Sequence, residues 1–105
     1  MTSPESSNPV VHRLVAAIND GDRDAFLATL TSDATLTDDG NPRSLHDWID
    51  REIFSARGRM NVEREEQDGL YLLARYRNDT WGEMSTFWRF QVTGDKISRI
   101  DTGQA

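Results

Sequence analysis

The sequence predicts an α+β domain in which three N-terminal helices cover one face of a curved, largely antiparallel sheet. Two observations lead there. Apolar residues recur at helical spacing through the first half of the chain and alternate with polar residues after Gly58. Turn signals then divide the second half into four segments, Asp68-Gly69 and Thr93-Gly94-Asp95 among them. Helices first and strands after place the helices together on one side of the sheet. Helices lying across a bent sheet enclose a hollow, and hollows are where small molecules bind.

At 105 residues the chain has the length of one domain. Residues 1–7 are polar and read as a flexible tail, with the single domain spanning 8–105. Asn8 is placed to cap the first helix, and Pro9 suits its first turn. Val11, Leu14, Val15 and Ile18 share one face, and Asn19-Asp20-Gly21 ends the helix. A second, short helix is expected from Arg23 to about Leu30, burying Phe26, Leu27 and Leu30. Ala34–Thr37 reads as a short strand, and Asp38-Asp39-Gly40-Asn41-Pro42 as a turn.

Ser44 and Asp47 have the spacing of a capping box opening a third helix. Its buried side is Leu45, Trp48 or Ile49, Ile53 and Ala56, and it stops at Arg57-Gly58-Arg59. The four strands are expected at Met60–Gln67, Leu70–Asn78, Gly82–Val92 and Lys96–Thr102. Alternation puts Thr86, Trp88, Phe90 and Val92 on the concave face. It points Arg89 outward, and sets Arg75 and Arg77 against Glu63, Glu65 and Gln67 on the outer face as cross-strand ion pairs. Asp101 also points outward, between the inward Ile100 and Thr102, and Glu83 lies at a strand start.

Composition excludes several functions. There is no cysteine, so no disulfide, thiolate metal site or cysteine nucleophile exists, which suits a reducing cytoplasm. No apolar run approaches the roughly 20 residues of a membrane helix, so no membrane partner is expected. A net charge of −6, with scattered arginines, opposes nucleic-acid binding. His12 and His46 lie far apart with no zinc-binding spacing, so no metal is expected. No G-x-G-x-x-G, P-loop or G-x-S-x-G motif occurs, so no cofactor is expected either.

The run Val11-His12-Arg13-Leu14-Val15-Ala16-Ala17-Ile18-Asn19-Asp20-Gly21-Asp22 and the run Ser32-Asp33-Ala34-Thr35-Leu36-Thr37-Asp38 resemble the opening helix and a following strand of bacterial ketosteroid isomerases. Pro42-Arg43-Ser44 and Phe87-Trp88-Arg89-Phe90 also have counterparts there. With the order of elements, they make the chain, from about Val10 to Thr102, similar to the nuclear transport factor 2-like superfamily, in its SnoaL-like and ketosteroid-isomerase-like branch. The resemblance implies a cystatin-like cone with an internal apolar pocket.

It also implies that Asp38 stands where the isomerases carry their catalytic base. A carboxylate at a strand end, facing a dry pocket, can take a proton from a carbon next to a carbonyl. Leu14 stands at the position of the isomerases' donor tyrosine and cannot donate. Thr86 stands at that of their protonated aspartate and offers a hydroxyl. The expected site is therefore Asp38 as base, with Leu14, Trp48, Thr86, Trp88 and Phe90 around an apolar small molecule. Two readings stay open: an isomerase, cyclase or lyase, and a non-catalytic binding or dimerisation module. Asp38 equally suits plain turn chemistry, and the tryptophans suit plain core packing. A homodimer through the outer sheet face is the expected assembly.

Overall fold

A computed structural model describes residues 7–105. Of the expected flexible tail, residues 1–6 lie outside the described part. Ser7 donates through its amide and its hydroxyl to the Glu65 carboxylate, at 3.0 and 2.8 Å.

Helix α1 (Pro9–Asp20) opens where the Asn8 side chain accepts from the amides of Val10 and Val11, and closes at Gly21 with φ 67°. It buries Val10, Val11, Leu14, Val15, Ala17 and Ile18. Its C-terminal end is fixed to the sheet by Asn19, whose side chain both donates to the Met60 carbonyl and accepts from the Met60 amide (2.9 and 2.7 Å). The amide group thus imitates a neighbouring strand at that edge.

Helix α2 (Arg23–Ala28) starts at Asp22, which accepts from the Ala25 amide, and buries Phe26. It is shorter than the spacing suggests. Leu30 belongs to strand β1 (Leu30–Asp38), where it pairs with Ile97. Tertiary pairing outweighs helical propensity at that residue.

Strand β1 turns through Asp39 and Gly40, both at positive φ (51° and 83°), into strand β2 (Asn41–Arg43). Asp38 pairs with Asn41 across this two-residue hairpin. An Asp-Gly pair with positive φ at both centres is the turn whose twist suits a tight hairpin. The turn expected over Asp38–Pro42 is therefore shorter in the structure, and a strand occupies its second half.

Helix α3 (Leu45–Ile49) buries Leu45, Trp48 and Ile49, and Ile53 continues that face. Ser44 makes no side-chain cap bond, so the expected capping box does not form. From Asp50 to Phe54 the helix widens to a π-helical turn, with the Ser55 amide bonding the Asp50 carbonyl at 2.8 Å and the Gly58 amide the Ile53 carbonyl at 2.7 Å.

The remaining strands are β3 (Arg59–Glu66), β4 (Tyr71–Asn78), β5 (Gly82–Thr93) and β6 (Lys96–Gln104), each close to its expected limits. Gln67–Gly69 forms a single 3-10 turn between β3 and β4. The six strands make one sheet in the order β2-β1-β6-β5-β4-β3. The last four form an antiparallel meander, and β1 runs parallel to β6. This is the α+β architecture that the sequence predicts, with a mixed sheet.

Bulges interrupt the register in β3 near Val62 and in β6 near Ile97, and bulges bend a sheet. On the outer face Arg75 meets Glu63 at 3.6 Å and Glu83 at 3.2 Å. The bulge in β3 breaks the expected alternation, and Arg64 pairs within its own strand with Glu66. No helix among the described residues is long and apolar enough to cross a membrane.

Candidate functional site

Between the β1–β2 hairpin, α3 with its π-helical turn, and the inner faces of β4, β5 and β6 lies a cleft of about 490 Å³. Trp88 and Thr86 from β5 and Thr102, Gly103 and Gln104 from β6 line one part of it. The hairpin contributes Asp38, Asp39 and Arg43; the α3 segment contributes Trp48, Arg51 and Glu52; and Tyr76, Asn78, Trp81 and Met84 complete it.

The structure brings four of the expected residues to this cleft: Asp38, Trp48, Thr86 and Trp88. Leu14 and Phe90, 0% and 3% exposed, are core residues away from its lining. Helical and strand periodicity fix which face a side chain takes but not how deep it sits. The lining also differs from the expected apolar hollow. Aromatic rings form part of the wall, yet Asp38, Asp39, Arg43, Arg51 and Glu52 bring charge to the same space.

Asp38 is half-buried at the end of β1, and Trp48 Nε1 donates to its Oδ2 at 3.0 Å. The carboxylate is thereby oriented by an indole that is itself packed edge-on against Trp88 (ring centroids 6.3 Å apart, 72° between planes). Trp88, only 1% exposed, also leans on Tyr76 at 5.9 Å. Thr86 does not offer the free hydroxyl expected of it. Its Oγ1 donates to the Ala74 carbonyl and accepts from Trp88 Nε1, both at 2.9 Å.

Asp39 points away from Asp38's role. Its Oδ1 accepts from the Gln104 amide at 3.1 Å, above the bare α-carbon of Gly103, where any Cβ would run into the carboxylate. Asp101 keeps to the outer face as expected, and Glu83, at the start of β5, faces the same way. Asp101 accepts from Thr37 Oγ1 at 2.6 Å and pairs with Arg99 at 3.0 Å, and Glu83 pairs with Arg75.

A second carboxylate, not among the residues expected from the sequence, also lines the cleft. Glu52 Oε1 accepts from Trp81 Nε1 at 2.8 Å, and its Oε2 meets Arg51 Nε at 3.0 Å. The π-helical turn accounts for its position. Widening the helix releases the Glu52 carbonyl from the helical ladder, and Tyr76 Oη (2.6 Å) and Asn78 Nδ2 (2.8 Å) donate to it instead. Such turns leave no mark in hydrophobic spacing. Alternation along β4 does place Leu72, Ala74, Tyr76 and Asn78 on one inward face, so the sequence does carry a signal for the last two.

Burial holds the Tyr76 phenol well above the ordinary tyrosine range. Gly58 makes room for it, since a Cβ there would collide with the hydroxyl. A raised value means that the folded state keeps this proton longer than the unfolded chain does. The contribution is therefore complete below the ordinary tyrosine value of about 10 and is lost as pH rises beyond it. Thermal melts between about pH 9 and 11 are expected to fall less steeply for Tyr76→Phe than for the native chain. Parallel slopes would show that Tyr76 is not linked to alkaline unfolding.

Among the described residues, no three His, Cys, Asp or Glu side chains gather in a way that would hold a metal ion. No protein-family model matches the chain, and no curated protein matches it. Solved structures do. An NTF2-like protein of unknown function from Cytophaga hutchinsonii superposes with a TM-score of 0.79 at 11% identity, covering 100% of this chain and 95% of that one. A proposed polyketide cyclase from Sinorhizobium meliloti gives 0.74 at 19% identity, covering 90% and 93%. A proposed ketosteroid isomerase from Kribbella flavida gives 0.74 at 13% identity, covering 94% and 77%. The chain has the nuclear transport factor 2-like fold, as the resemblance implied. A fold hosts many chemistries, so its function has to be argued from the site.

Proposed function

We propose that the chain is a small-molecule enzyme of SnoaL-like type that abstracts a proton next to a carbonyl, with Asp38 as general base. The observation that carries this is Asp38's carboxylate, oriented by Trp48 Nε1 at 3.0 Å on the wall of a 490 Å³ cleft. The substrate has an apolar body to lie along Trp48 and Trp88 and a polar end for the charged residues. Asp38 takes the proton from the α-carbon. The C–H electron pair forms the new carbon–carbon π bond, and the carbonyl π pair moves to oxygen as an enolate. Protonated Asp38 then returns the proton to the same carbon or to another.

An enolate oxygen needs a donor. Trp48, Trp88 and Thr86 already give their protons to Asp38, Thr86 and Ala74. Arg43 can serve as that donor, since it lines the cleft and forms no ion pair among the described residues. The test is deuterium incorporation. Aryl ketones and cyclic β-dicarbonyls are incubated with the protein in D₂O, and α-proton loss is followed by NMR. Exchange above the buffer rate that disappears in Asp38→Asn is expected. Exchange that persists in the variant removes Asp38 from the chemistry.

The engaged hydroxyl and indoles also support a second reading, a non-catalytic ligand binder of the same fold. Under that reading ligands bind native protein and Asp38→Asn alike, and no exchange is catalysed.

A homodimer through the outer sheet face accompanies either reading. Tyr71 and Phe87 stack there at 6.3 Å, half-buried, with the Arg89 guanidinium 5.3 Å above the Tyr71 ring. Sedimentation equilibrium is expected to give twice the chain mass, and Phe87→Glu to give one. A native monomer at all concentrations would dismiss the dimer. A cytoplasmic setting goes with this proposal, since a chain without cysteine needs no oxidising compartment.

A further inference from the structure

We propose a second binding site, independent of the cleft's function, for a small phosphate-bearing anion. It is a groove of about 350 Å³ where β3 begins and β4 ends, lined by Arg57, Arg59 and Arg77 with Asp79. Three guanidinium groups share this space in a chain whose net charge is −6. Asp79 is the one acid among its lining residues, and Arg57 Nε already holds it at 2.6 Å.

Two positive charges are left over. Arg59 and Arg77 stand directly opposite each other in the β3–β4 register. Like charges in that relation destabilise a sheet. Among the described residues no acid pairs with either of them. Glu83 is Arg77's partner in the β4–β5 register, but its carboxylate goes to Arg75 Nη1 at 3.2 Å.

The groove is also partly preorganised. Arg59 Nη1 donates to the Gly58 carbonyl at 2.6 Å, which holds the guanidinium in place. Arg57 occupies the left-handed region at φ 55°, where glycine is the usual residue. Its side chain reaches the groove, which gives an arginine a reason to be there. Two uncompensated guanidinium groups match a dianion, and the planar N–H fork fits phosphate oxygens in pairs. Asn78, whose side chain is engaged by Glu52 and Trp81, lines both this groove and the cleft.

The whole ¹⁵N-labelled chain is titrated with sodium phosphate, with phenyl phosphate, and with sodium chloride at matched ionic strength. The arginine Nε–Hε signals are followed. Saturable shifts at Arg59 and Arg77 with either phosphate, absent with chloride, are expected. Tighter binding of phenyl phosphate assigns a phosphomonoester ligand, and tighter binding of inorganic phosphate assigns the free ion. Loss of one charged hydrogen-bond donor weakens binding by about tenfold or more, so Arg77→Gln and Arg59→Gln each move the midpoint by that factor. Arg13→Gln, an exposed change on α1, leaves it in place. Shifts no larger than those in chloride, or midpoints unmoved in both groove variants, overturn the proposal.

Discussion

Asp38→Asn is expected to lower the rate of α-proton exchange by about 10²- to 10⁴-fold, the usual contribution of a positioned general base. The substitution keeps the shape and one oxygen, so Trp48 Nε1 retains an acceptor at the site it now uses. What disappears is the lone pair able to hold a substrate proton. Folding should change little, because the group is half-buried and sits at the end of β1 beside a tight hairpin that Asp39 and Gly40 set. Ligand affinity measured by calorimetry should stay within a few-fold while exchange collapses. Trp48→Phe provides the companion measurement. It leaves the base but removes the donor that orients it, so a smaller rate loss is expected. Native-like exchange in Asp38→Asn would remove Asp38 from the chemistry, whereas no exchange by the native chain, with equal ligand binding by both, would leave the binder.

Much of this arrangement can be read from the residues before any coordinates. Asn8, Pro9 and Gly21 bound α1 because cap chemistry is local. The meander follows from alternation and from turn residues. Asp38 and Trp48 are both legible as cleft residues, Asp38 from the resemblance to the isomerases and Trp48 from its helix face. Three features are not legible, each for a physical reason.

Strand β2 contains Pro42 and reads as turn, yet pairing with Leu36–Asp38 holds it extended at the sheet edge, where a proline is tolerated. The π-helical turn at Asp50–Phe54 is held by carbonyl acceptance from Tyr76 and Asn78, contacts made by residues more than twenty positions away. Glu52 lies within that turn and lines the cleft. Leu14 and Phe90 face inward as the periodicity requires, but depth along the cone depends on how far the sheet bends, and bulges control the bending.

Trp88→Ala is expected to destabilise the fold by about 3–5 kcal/mol, the range for emptying a large aromatic from a packed interior. Trp88 is 1% exposed and packs against both Trp48 and Tyr76, so its removal empties a shared contact. The Thr86 hydroxyl would also lose its donor at 2.9 Å. Against a total stability of about 5–15 kcal/mol for domains of this kind, such a loss brings the chain near its unfolding limit. Chemical denaturation should show the midpoint falling sharply with little change in slope.

Trp88→Phe separates the two roles this residue holds. A phenyl ring keeps most of the packing, so the loss should be much smaller, while the cleft wall is shortened where a ligand's apolar body would lie. Ligand affinity should then fall in a protein that still melts cooperatively. A Trp88→Ala variant as stable as the native chain would mean that Trp88 is not packed as described. The cleft would then lose the wall that positions Trp48, and with it the orientation of Asp38.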